Sequence, residues 1–165
     1  MEEAAIALAS TTLLLLAASV LGPAARRPRI TVYLPGGGMA AQYRASTQQT
    51  LSLHVRNRGG WLGLPSGPVD AIWVTFYLPD QFDLQSGDYQ GTDIKQAQPT
   101  AAPQDGRFRG TKYVQVGRFS LFKDEVDVVQ FTFATPAQTG QYKAYVAVLS
   151  ERGIGEVYTL DLTIE

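Results

Sequence analysis

The chain has a single histidine, His54, and it sits between Ser52 and Arg56 in a stretch of alternating polarity. A Ser-His relay or a metal site needs further groups converging on the imidazole. Here the ring falls on the outward side of its stretch, and a surface role is expected. Asp124-Glu125-Val126-Asp127 gathers carboxylates of the kind a calcium ion takes. A calcium loop also needs a sharp glycine turn among its ligands; none is present, and a solvated turn ahead of a strand is expected instead. Gly36-Gly37-Gly38 has neither the following Lys-Ser/Thr nor the strand-to-helix setting of a phosphate cradle, so it reads as a flexible turn. Cysteine is absent, which removes disulfides, thiolate metal sites and thiol nucleophiles together. No nucleophile–base pair and no metal cluster can be assembled, and neither a catalytic activity, a cofactor nor a small-molecule substrate is expected.

The charge balance removes another class. With 14 Lys+Arg against 15 Asp+Glu the chain is nearly neutral. It has no broad field with which to hold a polyanion, and nucleic acid is not expected as a partner.

What remains is chemistry of contact. From Ala4 to Leu21 the chain carries no charge and is mostly Ala and Leu. At about 1.5 Å of rise per residue a helix of that length reaches roughly 27 Å, enough to cross a hydrocarbon core, so a single transmembrane helix is expected. A secretory signal peptide is the competing reading, but it needs a basic n-region and the flank here is Met1-Glu2-Glu3. A buried soluble helix is the third. Within the run, Ala5, Ala9, Thr12 and Ser19 fall at helical spacings on one side, where small side chains allow a partner helix to approach; the abundance of Ala explains the same stripe without a partner.

Arg26, Arg27 and Arg29 follow the run closely. Such a group stops transfer and sits among lipid headgroups, and Lys/Arg excess marks the cytoplasmic flank. The remainder is therefore expected on the cytoplasmic face of the inner membrane, with the extracytoplasmic face as the alternative. Gly60-Trp61-Leu62-Gly63-Leu64-Pro65 places large apolar side chains in a Gly/Pro-rich connection. Trp61, Leu62 and Leu64 either fold back to cap the domain or contact a partner or the membrane interface.

The anchor with its basic flank covers 1–29, and residues 30–165 suffice for one domain with a real core. Past the anchor the period changes to two. Ile30–Leu34 alternates and stops at Pro35; Thr50–Arg56 alternates with Leu51, Leu53 and Val55 on one side. Ala71–Leu78 is apolar on both faces, with Ile72, Val74, Phe76 and Leu78 on one and Trp73 and Tyr77 on the other, as in a central strand. Strand character returns in Lys112–Val116, Arg118–Phe122, Val126–Ala134, Gln141–Leu149 and Glu156–Ile164, the last two joined as a hairpin. Residues 85–110, rich in Gln, Gly, Pro, Asp and Thr, show no sustained period and read as one long connection. An all-β, antiparallel β-sandwich follows. Leu53, Val55, Val74, Phe76, Phe131, Phe133, Tyr142, Val146 and Leu162 are its expected core.

Leu51-Ser52-Leu53-His54-Val55-Arg56-Asn57-Arg58-Gly59, followed by Val74-Thr75-Phe76-Tyr77-Leu78-Pro79, resembles the strand-Asn-x-Gly and strand-Leu-Pro pattern of prokaryotic immunoglobulin-like repeats of the cell-adhesion-related type. Thr139-Gly140-Gln141-Tyr142-Lys143-Ala144 is similar to the tyrosine corner of immunoglobulin-like domains, with Ala144 where antibody domains carry their second Cys. The resemblance implies an immunoglobulin-like sandwich acting as a binding or spacer module.

Two functions are expected from these features. The first is a non-enzymatic, single-span accessory or scaffold subunit of a larger membrane assembly, respiratory and photosynthetic complexes being examples, with other membrane protein subunits and the lipid bilayer as partners. The second is a pilin-like filament subunit, which also joins a hydrophobic helix to a β-sandwich.

Overall fold

Alternation in the sequence carries directly into burial in the strand Gln48–Asn57, where Leu51, Leu53 and Val55 are buried and Ser52, His54 and Arg56 are half-buried on the other side. The computed structural model describes residues 28–59, 67–89, 100–101, 106–151 and 155–165. Within them the strands in chain order are β1 (Ile30–Tyr33), β2 (Ala40–Tyr43), β3 (Gln48–Asn57), β4 (Val69–Pro79), β5 (Asp83–Tyr89), β6 (Thr100–Ala101), β7 (Thr111–Leu121), β8 (Val126–Ala134), β9 (Gly140–Leu149) and β10 (Glu156–Ile164). They form a four-stranded sheet ordered β1-β3-β8-β5 and a six-stranded sheet ordered β2-β10-β9-β4-β7-β6. The fold is all-β, two sheets packed as a sandwich.

The core lies where the alternating strands face each other. Leu53, Val55, Val74, Phe76, Phe131, Phe133 and Val146 are fully buried, and Leu162 is 1% exposed. Tyr142 differs from the expectation: it is only half-buried, because its hydroxyl reaches out to the Gln138 carbonyl at 2.9 Å. This is the tyrosine-corner geometry, and Ala144 two residues later is fully buried between the sheets. Phe76 and Phe131 meet across the core at 4.9 Å between ring centroids.

Three features depart from the sequence reading. The sandwich is not wholly antiparallel, because β2, a strand the alternation did not reveal, runs parallel to β10 with Ala41 opposite Leu162. The 85–110 stretch is not one irregular connection: β5 continues to Tyr89, β6 pairs with β7, and Gly106–Phe108 forms a 3-10 turn. Lys112–Val116 and Arg118–Phe122 are one strand, β7, which runs through Gly117 and ends at Leu121, leaving Phe122 in the following turn.

The two ends of the sandwich are distinct. The Pro28 end gathers the start of β1, the end of β3, the β7–β8 turn and the start of β10, as Ile30 opposite Asn57 and Arg56 opposite Val126 show. At the other end Glu165 accepts the Ala45 N–H at 2.7 Å, and Thr135 Oγ1 donates to the Arg44 carbonyl at 2.7 Å. Among the described residues no helix is long and apolar enough to cross a membrane. The Ala4–Leu21 run lies outside them.

Candidate functional site

The groups with potential chemistry are engaged in the architecture. His54 meets Tyr33 edge-on, ring centroids 5.3 Å apart, on the outer face of the four-stranded sheet. The acidic run after β7 is divided among separate partners. Asp124 pairs with Arg56 at 3.4 Å, Glu125 Oε2 accepts the Phe122 N–H at 2.7 Å, and Asp127 accepts the Tyr89 hydroxyl. Each carboxylate thus fixes a neighbour in or beside the turn.

The outer faces of the two sheets differ in kind. The four-stranded sheet presents Thr50, Ser52, His54, Arg56, Gln130 and Thr132 along β3 and β8, with Val126 and Val128 at the Pro28 end of β8 and Gln130 Nε2 donating to Ser52 Oγ at 3.2 Å. The six-stranded sheet presents a row of tyrosines. Tyr77 of β4 is flanked in register by Tyr113 of β7 and Tyr145 of β9. Phe108, carried over the sheet by the 3-10 turn, stacks on Tyr77 with centroids 4.0 Å apart and meets Tyr145 edge-on. Burial raises the Tyr77 pKa above the ordinary tyrosine value, and the neighbouring Tyr113 adds to the shift. Two rows nearer the Pro28 end, past the Gln115 Nε2 to Thr75 Oγ1 hydrogen bond at 3.2 Å, Trp73 lies against Gly117, where a Cβ would come within 2.6 Å of the indole; only a residue without a side chain lets the ring lie flat there. Leu149 faces Trp73 from β9 and is 48% exposed; Val157 faces Ala147 from β10 and is 42% exposed.

The second surface is the Pro28 end itself. Arg29 and Arg58 are both exposed and tied together by main-chain bonds, Arg58 N–H to the Arg29 carbonyl at 2.8 Å and Arg29 N–H to the Gly59 carbonyl at 3.0 Å. Beside them the β7–β8 turn carries Phe122, 65% exposed, and Lys123, whose aliphatic stem crosses Gly59. The turn is stapled by Asn57, which is fully buried: Nδ2 donates to the Leu121 carbonyl at 3.1 Å, the Asn57 N–H donates to Glu125, and its carbonyl accepts from Asp124. Oδ1 of the same side chain accepts the Gly59 N–H at 2.9 Å, with Gly59 at φ +77°, a conformation glycine adopts without steric cost. The Asn-x-Gly signature is therefore the joint between β3 and this turn. A groove of about 570 Å³ runs along the free edge of β1, lined in part by Thr31, Tyr33, Arg56, Arg58 and Tyr158. The Tyr158 hydroxyl lies within donating reach of the Ile30 carbonyl, at 2.9 Å, and of Glu156. Burial, then the Glu156 carboxylate, pushes its pKa well above the ordinary tyrosine range.

Of the residues expected from sequence to contact a partner helix, a partner or the membrane interface, the structure places Arg29, on the surface of the Pro28 end. Ala5, Ala9, Thr12, Ser19, Arg26, Arg27, Trp61, Leu62 and Leu64 lie outside the described residues. Sequence reasoning missed Phe122 and Lys123 because it extended the strand one residue too far. It also missed the Tyr77–Tyr113–Tyr145 row on the six-stranded sheet, which exists only once β4, β7 and β9 are set in register. The signal for Phe122 was the Lys-Asp-Glu run directly after it, a turn composition that ends a strand.

No family model and no characterised protein matches the chain by sequence. Solved structures do match. A cohesin module of a family 33 glycoside hydrolase from Clostridium perfringens aligns over 84% of this chain and 96% of its own, at 14% identity and TM-score 0.50. A CARDB domain from Pyrococcus furiosus, solved in complex with di-metal ions, aligns over 84% and 89%, at 19% identity and TM-score 0.48. A putative membrane-anchored protein from Corynebacterium diphtheriae aligns over 83% of this chain and 35% of its own, at 11% identity and TM-score 0.48. At these identities the likeness is one of fold, consistent with an immunoglobulin-like β-sandwich.

Proposed function

We propose that the chain is a non-enzymatic, single-span accessory or scaffold subunit of a larger membrane assembly, its Ala4–Leu21 run in the bilayer and its sandwich docking neighbouring subunits, respiratory and photosynthetic complexes being examples. The observation that carries this reading is the contrast between the outer faces. One sheet turns mainly hydrogen-bonding side chains outward, with Val126 and Val128 toward one end, whereas the other carries Trp73, Leu149, Val157 and the Tyr77–Tyr113–Tyr145 row about the Gln115–Thr75 pair. Exposed Leu149 and Val157 beside half-buried aromatic rings fit a surface covered by a partner. The Asn57 joint and the Tyr142 corner support the finer assignment to the prokaryotic cell-adhesion-related type of immunoglobulin-like domain. Arg26, Arg27 and Arg29 after the run put the sandwich on the cytoplasmic face of the inner membrane.

Extraction in a mild detergent tests the proposal. The full chain should co-purify with other membrane subunits, and Leu149→Glu/Val157→Glu, two exposed positions, should lose them while keeping the wild-type circular dichroism. Extraction of the chain alone, or as fibres, would refute the docking role, and fibres would favour the pilin-like reading. Digestion of the sandwich from outside right-side-out vesicles would refute its cytoplasmic placement.

A further inference from the structure

Among the described residues four large hydrophobic side chains are exposed, Phe122, Val126, Leu149 and Val157, and all four sit toward the Pro28 end. Phe122 and Val126 flank the β7–β8 turn, and Leu149 and Val157 flank the β9–β10 turn. Phe122 is the most exposed of them, at 65%. It is not loosely held. The turn that presents it is fixed by main-chain and side-chain bonds from buried Asn57 and closed by Glu125 on the Phe122 N–H. A rigid turn that holds an aromatic ring in water is a costly arrangement unless the ring meets something apolar.

The charges around Phe122 say what that is. The acids of the turn are exposed but engaged, Asp124 with Arg56 and Glu125 with the Phe122 N–H. Lys123 follows Phe122 directly in the turn, and Arg29 and Arg58 are exposed at the same end. An exposed aromatic side chain accompanied by cations, at the end where an apolar run enters, is the pattern of a surface that enters the headgroup layer of an anionic membrane. This is also the end at which the Ala4–Leu21 run joins the sandwich through Pro28.

We infer that the Pro28 end of the sandwich rests on an anionic lipid surface, Phe122 entering the boundary between headgroups and acyl chains while Arg58, Lys123 and Arg29 contact lipid phosphates. The inference rests on the single-span reading above and adds an orientation: the strands stand upright on the bilayer, and the tyrosine row on the six-stranded sheet faces sideways, toward proteins in the same membrane.

The cysteine-free chain permits a direct test by single labels. A nitroxide at Val126→Cys leaves Phe122, Lys123 and Arg58 in place; a control label at Gln138→Cys lies at the opposite end. The full chain is reconstituted in nanodiscs of phosphatidylcholine alone or with phosphatidylglycerol, and collisional access to oxygen and to an aqueous nickel chelate is measured. The label at 126 should be shielded from nickel and open to oxygen, more so with phosphatidylglycerol, and the label at 138 should be aqueous in both. Phe122→Ser should return nickel access at 126, and Arg58→Gln/Lys123→Gln should remove the phosphatidylglycerol dependence. A chain that enters the discs with both labels equally aqueous overturns this orientation and leaves the span intact. A chain that stays out of the discs overturns the span and the orientation with it.

Discussion

The side-chain amide of Asn57 donates to the main-chain carbonyl of Leu121 at 3.1 Å, and this one buried bond joins the end of β3 in one sheet to the end of β7 in the other. An isolated amide would not be stable in that position, since burying it without partners costs about 1–3 kcal/mol. Here both ends of the amide are used, Nδ2 on Leu121 and Oδ1 on Gly59. Asn57→Ala should therefore cost about 2–3 kcal/mol by urea unfolding, because it leaves two buried main-chain groups unpaired. Amides of the Phe122–Glu125 turn should exchange faster in the same variant. A loss below about 1 kcal/mol would mean that water replaces the amide and that the turn is not held by it.

Phe131 tests the core in the same way. It is fully buried on β8 between Phe76 and the neighbouring strands, and truncation to Ala should cost about 3–5 kcal/mol. A cost nearer 1 kcal/mol would indicate a site that collapses around the smaller side chain.

Gly87 gives a prediction of the opposite kind, an overfilled contact. A Cβ there would stand 2.5 Å from Val116 Cγ2 and 2.6 Å from Val114 Cγ1, so β5 must carry glycine where it crosses β7. Gly87→Ala should destabilise by about 1–3 kcal/mol. In a double-mutant cycle with Val116→Ala the two changes should cost less together than their sum. Simple additivity would show that β5 moves away instead.

The pH dependence of stability should appear on the alkaline side. Tyr89 and Tyr158 both have pKa values raised above 10.0, chiefly by burial and further by their hydrogen-bonded carboxylates, Asp127 and Glu156. The unfolded chain then loses these protons before the folded one does. Their contribution is fully present below about pH 10 and falls as pH rises beyond it. Urea midpoints measured from pH 8 upward should decline from about pH 10, and Tyr89→Phe/Tyr158→Phe should flatten that decline. An unchanged slope would place the effect on other groups.

Much of the sandwich was legible because β3, β4, β8, β9 and β10 bury one face, and a buried face enforces alternation that periodicity detects. β2 escaped because its four residues are exposed or half-buried and are fixed by parallel pairing with β10, a partner more than a hundred residues away in the chain. β5 escaped for a more instructive reason. Ser86-Gly87-Asp88 has the composition of a turn, yet the glycine is there to let two sheets approach. At the candidate surfaces, Arg29 was found from its place after the apolar run. Phe122, Lys123 and Arg58 come together only through the Asn57 joint, whose geometry no local pattern encodes. The tyrosine row required three strands in register, which is information about pairing and not about any one segment.

The parallel pairing of β2 with β10 has a mechanical consequence. Pro28 and Glu165 lie at opposite ends of the sandwich, so a pull between a tether at the first and a load at the second acts along the strands. β10 would slide lengthwise past both β2 and β9, and β1 past β3, so each ladder resists with all its bonds at once instead of opening one bond at a time. Peeling would need a force across the strands, which neither attachment point supplies. The arrangement suits a stiff strut, extending under load only after a whole ladder shears.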